Sequence, residues 1–325
     1  MAFLLTFIGL AMLLIGGSLL VRGASQIARG FGVTPMIIGL TVVAFGTSTP
    51  ELVVNVTGAL KDQTALAFGN AVGSNLANFG LVLGVAAMMS PIYLQGQVVR
   101  REVPFLLLIT AILLVMAWDY PLSGTPALLD RGDAIVLFLL FTIFIYFIVR
   151  DIQRDVDDPL AKEAEAFSVP EKPNKNLTLV LNILFLISGI TLLVYGGNLT
   201  IEQGSKIAVI FGVPEVVIGM FVVAVGTSLP ELVTSAIAAY KKETDLALGN
   251  IVGSNIFNSL MVLPAAGIIQ PLPIPKGGDL DLAAGFLFVL VVIPLFFFSN
   301  ARLGRSAGAA LVLAYFGYMA YRVMA

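Results

Sequence analysis

The stretch Gly46-Thr47-Ser48-Thr49-Pro50-Glu51 returns as Gly226-Thr227-Ser228-Leu229-Pro230-Glu231, and each copy sets a carboxylate inside an otherwise apolar run. With a constant shift of about 180 residues, positions 31–78 and 211–258 match at about 27 of 48 positions, so the chain is two related halves. That period is too long for a solenoid, whose repeats are tens of residues. Two copies of a helix interrupted by Gly, Thr, Ser, Pro and an acid form the pattern expected of a secondary transporter with a central binding site.

Working outward, 58% of residues are hydrophobic and 12% charged, too few polar groups to cover a soluble globule. The expected fold is an all-α integral membrane protein with about ten transmembrane helices. The first five spans are read at residues 2–21, 34–60, 66–89, 103–118 and 134–149, and the second five at 177–199, 214–240, 246–269, 280–298 and 304–321. Because an odd number of spans separates equivalent points, the two five-helix repeats enter the membrane from opposite faces and are inverted, with broken helices at the GTS-x-PE motifs. The expected domains are a first half over 1–150, a linker over 151–176 and a second half over 177–325. The linker holds Pro159, Pro170 and Pro173 among mixed charges. Its acids Asp155, Asp157 and Asp158 do not make a calcium loop, since Leu160 and Ala166 stand where such a loop needs Gly and Glu.

Lys and Arg are biased to one set of loops, about 13 of the 18 basic residues. That bias predicts both termini outside and the central loop in the cytoplasm. The first span lacks a basic leader and a small-residue cleavage site, so it reads as retained structure. The chain has no Cys and no His, which excludes disulfides and thiolate sites and removes the usual zinc ligand and imidazole proton relay. A net charge of −2 gives no basic patch for nucleic acid.

Pro50 and Pro230 lack a backbone donor, so the carbonyls of Gly46 and Gly226 lose their helical partners. In hydrocarbon, freed carbonyls are tolerated only where protein, water or an ion satisfies them. Thr47 and Glu51, four apart, share a helical face, as do Thr227 and Glu231. The next span carries Asn70, Ser74 and Asn78, again four apart, matched by Asn250, Ser254 and Asn258, with Gly69 and Gly73 beside them as a close-approach pattern. Asn75 and Asn255 are repeated too, and with Asn70 and Asn250 they read as interhelical architecture. Two carboxylates among neutral oxygens, with no nitrogen or sulfur donors, specify a hard cation. Calcium fits best because it accepts six to eight oxygens in adaptable geometry, and sodium can use the same oxygens. An acid at mid-bilayer costs about 2.5 to 3.5 kcal/mol even on lenient scales, so a pair of them needs a functional reason. Glu102, Glu215 and Asp279 lie near span ends, where water reaches them, and receive no role. The long first and sixth spans, with Gly16, Gly17, Gly196 and Gly197 as smooth contacts, are candidates for a moving group.

These motifs closely resemble the two alpha-repeats of the cation/calcium exchanger superfamily, specifically the prokaryotic sodium/calcium exchangers. The resemblance covers the chain almost end to end. It implies an antiporter, not an enzyme, that exchanges sodium for calcium by alternating access, with no cofactor. It implies that Glu51 and Glu231 are the shared carboxylates, with Thr47 and Thr227 completing the calcium site. It further implies that Ala44 and Ala224 lend backbone carbonyls to sodium sites with Ser48, Ser228, Ser74 and Ser254, and that Asn78 and Asn258 line the centre. Some superfamily members, including potassium-dependent exchangers, carry Asp where Asn258 stands, so the chain resembles the potassium-independent branch. The expected partners are calcium and sodium ions and the lipid bilayer, with no nucleic acid and a monomer sufficient for transport. The expected home is the cell (inner) membrane of a prokaryote. A proton/calcium exchanger is the nearest alternative. An intramembrane lipid-phosphate hydrolase is a distant one, because neither motif carries Arg or Lys beside its acid to hold phosphate.

Overall fold

The computed structural model describes residues 1–93, 101–118, 124, 126–157, 175–210, 224–298 and 302–324. The seventh expected span therefore begins outside the described residues, as do Glu215 and most of the linker. Helix α1 (Ala2–Phe31) is followed by α2 (Pro35–Thr47) and α3 (Thr49–Leu60), which form one span bent by 45° at Ser48. Next come α4 (Thr64–Met89), α5 (Val103–Met116) and α6 (Arg131–Asp157). The second half runs α7 (Lys175–Ile210), α8 (Ala224–Thr227), α9 (Leu229–Tyr240), α10 (Thr244–Ile269), α11 (Gly278–Phe298) and α12 (Arg305–Met324). Among the described residues, two-residue strands lie between them: β1 (Ile92–Tyr93), β2 (Leu128–Leu129), β3 (Leu272–Pro273) and β4 (Arg302–Leu303).

Among the described residues, five helices are each long and apolar enough to cross a bilayer, within α1, α4, α6, α7 and α10, and the bent pair α2–α3 is a sixth. The remaining expected spans coincide with α5, α8 plus α9, α11 and α12. Helix α6 runs to Asp157 and α7 begins at Lys175, both inside the 151–176 interval. Apolar side chains facing outward along α1, α6 and α7 (Phe7, Leu14, Leu139, Tyr146, Leu184) fit a lipid surround, where exposing them costs nothing.

The duplication is visible in local structure. Asp62 and Lys242 both have positive φ (58° and 64°) at the turn joining α3 to α4 and α9 to α10. In each turn the next N–H closes back on a helix carbonyl, Gln63 to Gly58 at 2.8 Å and Glu243 to Ala238 at 2.9 Å, which caps the helix end. Both α4 and α10 contain a π-turn, at Asn78–Val82 and Asn258–Val262. The ladders cross between halves. β1 pairs with β4 through Ile92 and Leu303, and β3 pairs with β2 through Leu272 and Leu129. Ile92 and Leu272 are equivalent positions, and all four side chains are buried, so each half supplies to the other the contact it receives.

Helices α1 and α7 pack along their length. Gly9, Gly16 and Gly23 on α1, spaced by seven, meet α7 at Gly196, Gly189 and Asn182, also spaced by seven, and a Cβ on any of these glycines would lie within 3.0 Å of partner backbone. Such backbone proximity is how helices associate in lipid, where no hydrophobic driving force exists between them. Of the four glycines expected as smooth contacts, Gly16 and Gly196 join α1 to α7. Gly17 and Gly197 face α9 instead, at Val233, Ile237 and Pro230.

The expectation that water reaches Glu102 is corrected by the structure. Glu102 is 2% exposed and is paired with Arg101, which also bridges to Asp151 at 2.5 Å. The long arginine stem lets one guanidinium pair with two carboxylates, Asp151 from α6 and Glu102 just before α5, so the buried Glu102 has a charged partner. Asp279 heads α11 at its N-terminal turn.

Candidate cation site

At both breaks the chain leaves helical geometry for one residue. Ser48 (φ −86°, ψ 8°) and Ser228 (φ −85°, ψ 6°) end one helix and precede the next, with proline at the second position of the new helix. Proline there removes no bond that the new helix could make, yet it forbids continuation of the old one. Each glutamate then sits in a first helical turn, Glu51 in α3 and Glu231 in α9, where the aligned peptide dipoles favour negative charge. The Pro50→Ala variant restores an amide donor toward Gly46. We expect it to keep or raise thermal stability while lowering transport about tenfold, equivalent to about 1.4 kcal/mol, because straightening the bend moves Thr47 and Ser48 relative to Glu51. Transport at the native rate in this variant would show that the bend has no role.

Packing brings the two motifs together. The N-terminal part of α10 lies on α2, and α8 lies on α4, so each broken helix faces the polar stripe of the other half. Close approach is enforced by Gly249 and Gly253, where a Cβ would stand 2.5 Å from the Met36 carbonyl and 2.7 Å from Leu40. The positions of the second half equivalent to Met36 and Leu40 lie outside the described residues.

Glu51 and Glu231 are fully buried. Ser48 donates to Glu231 Oε1 at 3.0 Å across the halves, and Ser74 lies 3.4 Å from Glu51 Oε1 and 3.3 Å from the Thr227 hydroxyl. Thr47, Ser228, Ser254, Asn78 and Asn258 are buried in the same region. Asn78 donates to Asn255 Oδ1 at 2.9 Å, and Asn75 donates to Ser259 at 2.9 Å, so Asn75 and Asn255 do tie the halves together as architecture. Ala44 O already accepts from Ser48 N–H at 2.9 Å and is approached by Thr47 Oγ1 at 3.4 Å, which leaves it limited capacity as an ion ligand. Ala224 starts α8, and only its backbone is described.

A second set of oxygens stands apart. Glu51 Oε2, Glu231 Oε2, Asn78 Oδ1, Asn258 Oδ1, Ser228 Oγ and Ser254 Oγ are buried and have no hydrogen-bond partner among the described residues. Buried polar atoms are almost always paired, so six orphaned oxygens on two inward faces, two of them carboxylate, call for a cation. Among the described residues no group of three or more acidic, histidine or cysteine side chains gathers. Charge neutralisation therefore falls on the glutamate pair, and the remaining oxygens are neutral.

Two contributors went unread in the sequence. Asn55 and Ser235, at equivalent positions four residues after each glutamate, are fully buried and bonded to Asn70 (2.6 Å) and Asn250 (3.0 Å). The signal was present, since Thr47-Glu51-Asn55 and Thr227-Glu231-Ser235 step by four along one face.

Comparison with known proteins agrees with this geometry. The family model described as sodium/calcium exchanger protein matches residues 1–150 and 181–324. The chain belongs to the sodium/calcium exchanger family. It is 35% identical to the inner membrane protein YrbG of Escherichia coli over 94% of this chain and 92% of that protein. It is 29% identical to the sodium/calcium exchanger MaX1 of Methanosarcina acetivorans over 98% of this chain and 97% of that one. Among solved structures, the sodium-calcium exchanger NCX_Mj soaked with zero Na+ and Ca2+ superposes with a TM-score of 0.83 at 28% identity, covering 98% of each chain. The same exchanger soaked with 10 mM Na+ gives 0.82 at 29% identity over 98% of each chain. A membrane-embedded transporter family accounts for the apolar exterior and sets aside the hydrolase reading. The interval between the two family matches, 151–180, contains the polar linker.

Proposed function

We propose that this chain is a secondary antiporter that exchanges sodium for calcium across a prokaryotic inner membrane, by alternating access at the oxygen cage between the two broken helices. The carrying observation is the pair of buried carboxylates, one from each half, with orphaned oxygens beside them, Asn78 Oδ1 from the first half and Asn258 Oδ1, Ser228 Oγ and Ser254 Oγ from the second. Two glutamates present a formal charge of about −2, which one divalent ion or several monovalent ions can neutralise, and an empty dry cage would be strongly unfavourable. Occupancy by one ion or the other follows, and with it coupling.

In this reading Glu51 and Glu231 are shared by both ions, Thr47 and Thr227 complete the calcium site, and Ser48, Ser74, Ser228 and Ser254 serve sodium with Asn78 and Asn258 between them. Ala44 O already accepts from Ser48 N–H, so one lone pair remains for sodium while the Thr47 proton is held by Asn250 Oδ1. The two halves are inverted repeats, an arrangement supported by crossed strand pairing and by five spans per half. The α1–α7 pair, held to itself by backbone contact and to the rest through Gly17 and Gly197, is the group that slides to change access. Both termini lie outside, the central loop is cytoplasmic, and one chain suffices.

The test is calcium uptake into proteoliposomes loaded with sodium, with separate arms carrying a pH gradient without sodium and external potassium. Uptake should require internal sodium and be indifferent to potassium. Equal uptake in the sodium-free arm driven by the pH gradient would replace sodium with protons as the driving ion.

A further inference from the structure

Resting on the exchanger reading of the site, we infer that Asn70 and Asn250, anchored by Asn55 and Ser235, are positioning residues. They draw the hydroxyl proton of the threonine in the opposite half away from the cage, so that Thr227 and Thr47 present lone pairs to the transported cation. A threonine hydroxyl carries one proton and can serve a cation only if that proton has another acceptor. Thr227 Oγ1 donates to Asn70 Oδ1 at 3.2 Å, and Thr47 Oγ1 donates to Asn250 Oδ1 at 3.1 Å, each across the halves and each fully within the protein. Thr227 stands beside the opposing carboxylate, with the Ser74 hydroxyl 3.3 Å from Thr227 Oγ1 and 3.4 Å from Glu51 Oε1. A carboxylate that binds a metal ion is a poor place to aim a proton, so a standby acceptor is needed when the ion arrives.

The direction of the first chain is dictated by its far end. The Ala67 carbonyl can only accept, so Asn55 must offer it Nδ2 (2.8 Å). Asn55 Oδ1 then accepts from Asn70 Nδ2 at 2.6 Å, which turns Asn70 Oδ1 toward Thr227. No amide in the series can flip without placing two donors or two acceptors face to face, inside protein where the mismatch costs most. In the second chain Asn250 donates Nδ2 to Ser235 Oγ at 3.0 Å. A serine can accept or donate, so that arm is less strictly polarised, and the two threonines are held unequally. Interhelical amides that served architecture alone would have no reason to terminate on the hydroxyl of each motif in turn.

Calcium binding to the full-length purified protein, measured by calorimetry alongside melting temperature, tests this through a double-mutant cycle. Asn55→Leu should weaken calcium binding about tenfold, the scale of one buried hydrogen bond. Asn55→Ser, which copies the second half, should recover affinity to within about threefold of native. In a Thr227→Val background the Asn55→Leu change should alter affinity by less than about twofold, because the hydroxyl it orients is gone. Equal weakening with and without the Thr227 hydroxyl, or a fall in melting temperature with affinity unchanged, overturns the inference. Should Asn55→Leu not fold, Ser235→Ala with Thr47→Val poses the same cycle on the other arm under the same criteria. Native protein that binds no calcium would instead overturn the exchanger reading itself.

Discussion

Glu51→Gln, and separately Glu231→Gln, should eliminate sodium-driven calcium flux in proteoliposomes, a loss of at least about a hundredfold. The reason is electrostatic. Replacing one carboxylate halves the formal charge of the cage, and a divalent ion would then carry an uncompensated charge into a buried site, a penalty of about 3 to 5 kcal/mol when one member of a buried charged pair is lost. Glutamine keeps the shape and one acceptor oxygen, so packing around Ser48 and Ser74 survives. Ion-free melting temperature should hold or rise, because a costly buried charge has been removed. Reduced flux together with retained or raised stability separates a ligand from a structural acid. Flux within about threefold of native in either variant would remove the glutamate pair from the mechanism.

Gly189→Leu should be the most destructive substitution outside the cage. A Cβ at this position would sit 2.6 Å from the backbone nitrogen of Leu20 and 2.9 Å from the carbonyl of Gly16, and backbone atoms in the middle of a helix cannot step aside. The α1–α7 pair would have to separate, losing van der Waals contact that lipid does not replace. We expect little monodisperse protein after detergent extraction. Gly189→Ala should fold with about 1 to 3 kcal/mol less stability, the scale of overpacking. Gly30→Ala is the control, since it stands on the same α1 with nothing within 4 Å of the Cβ it would gain, and it should be neutral or slightly stabilising. A Gly189→Leu protein that extracts and melts like native would show that α1 and α7 are not held by this seam.

Much of the molecule could be read from residue order because the bilayer removes alternatives. Apolar runs of span length must be helices in hydrocarbon, and a proline with an acid inside one must be a break with a purpose. That reasoning located the breaks at Ser48 and Ser228 and the polar helices α4 and α10, while ends drifted: α1 continues ten residues past Val21, where Gly32 in left-handed geometry ends it. Hydropathy falls off before a helix does, because helices extend beyond the hydrocarbon. The glycines of α1 and α7 were visible as a class, yet which helix each one faces follows from their seven-residue spacing in antiparallel register, and only Gly16 and Gly196 met one another's helices as expected. Glu102 was misjudged because depth along a span does not reveal that Arg101 folds back to cover it.

Residue order alone determined that this is a duplicated membrane protein with a carboxylate in each broken helix. Those facts follow from local chemistry and from what lipid forbids. Tertiary structure decided which oxygens meet. Only folding brings Thr227 to Asn70, Thr47 to Asn250 and Ser48 to Glu231, because each partner belongs to the other half and is about 150 to 200 positions away along the chain. It also decided which oxygens remain unpaired, since hydrogen-bond satisfaction is a property of neighbours in space and cannot be inferred from neighbours in sequence.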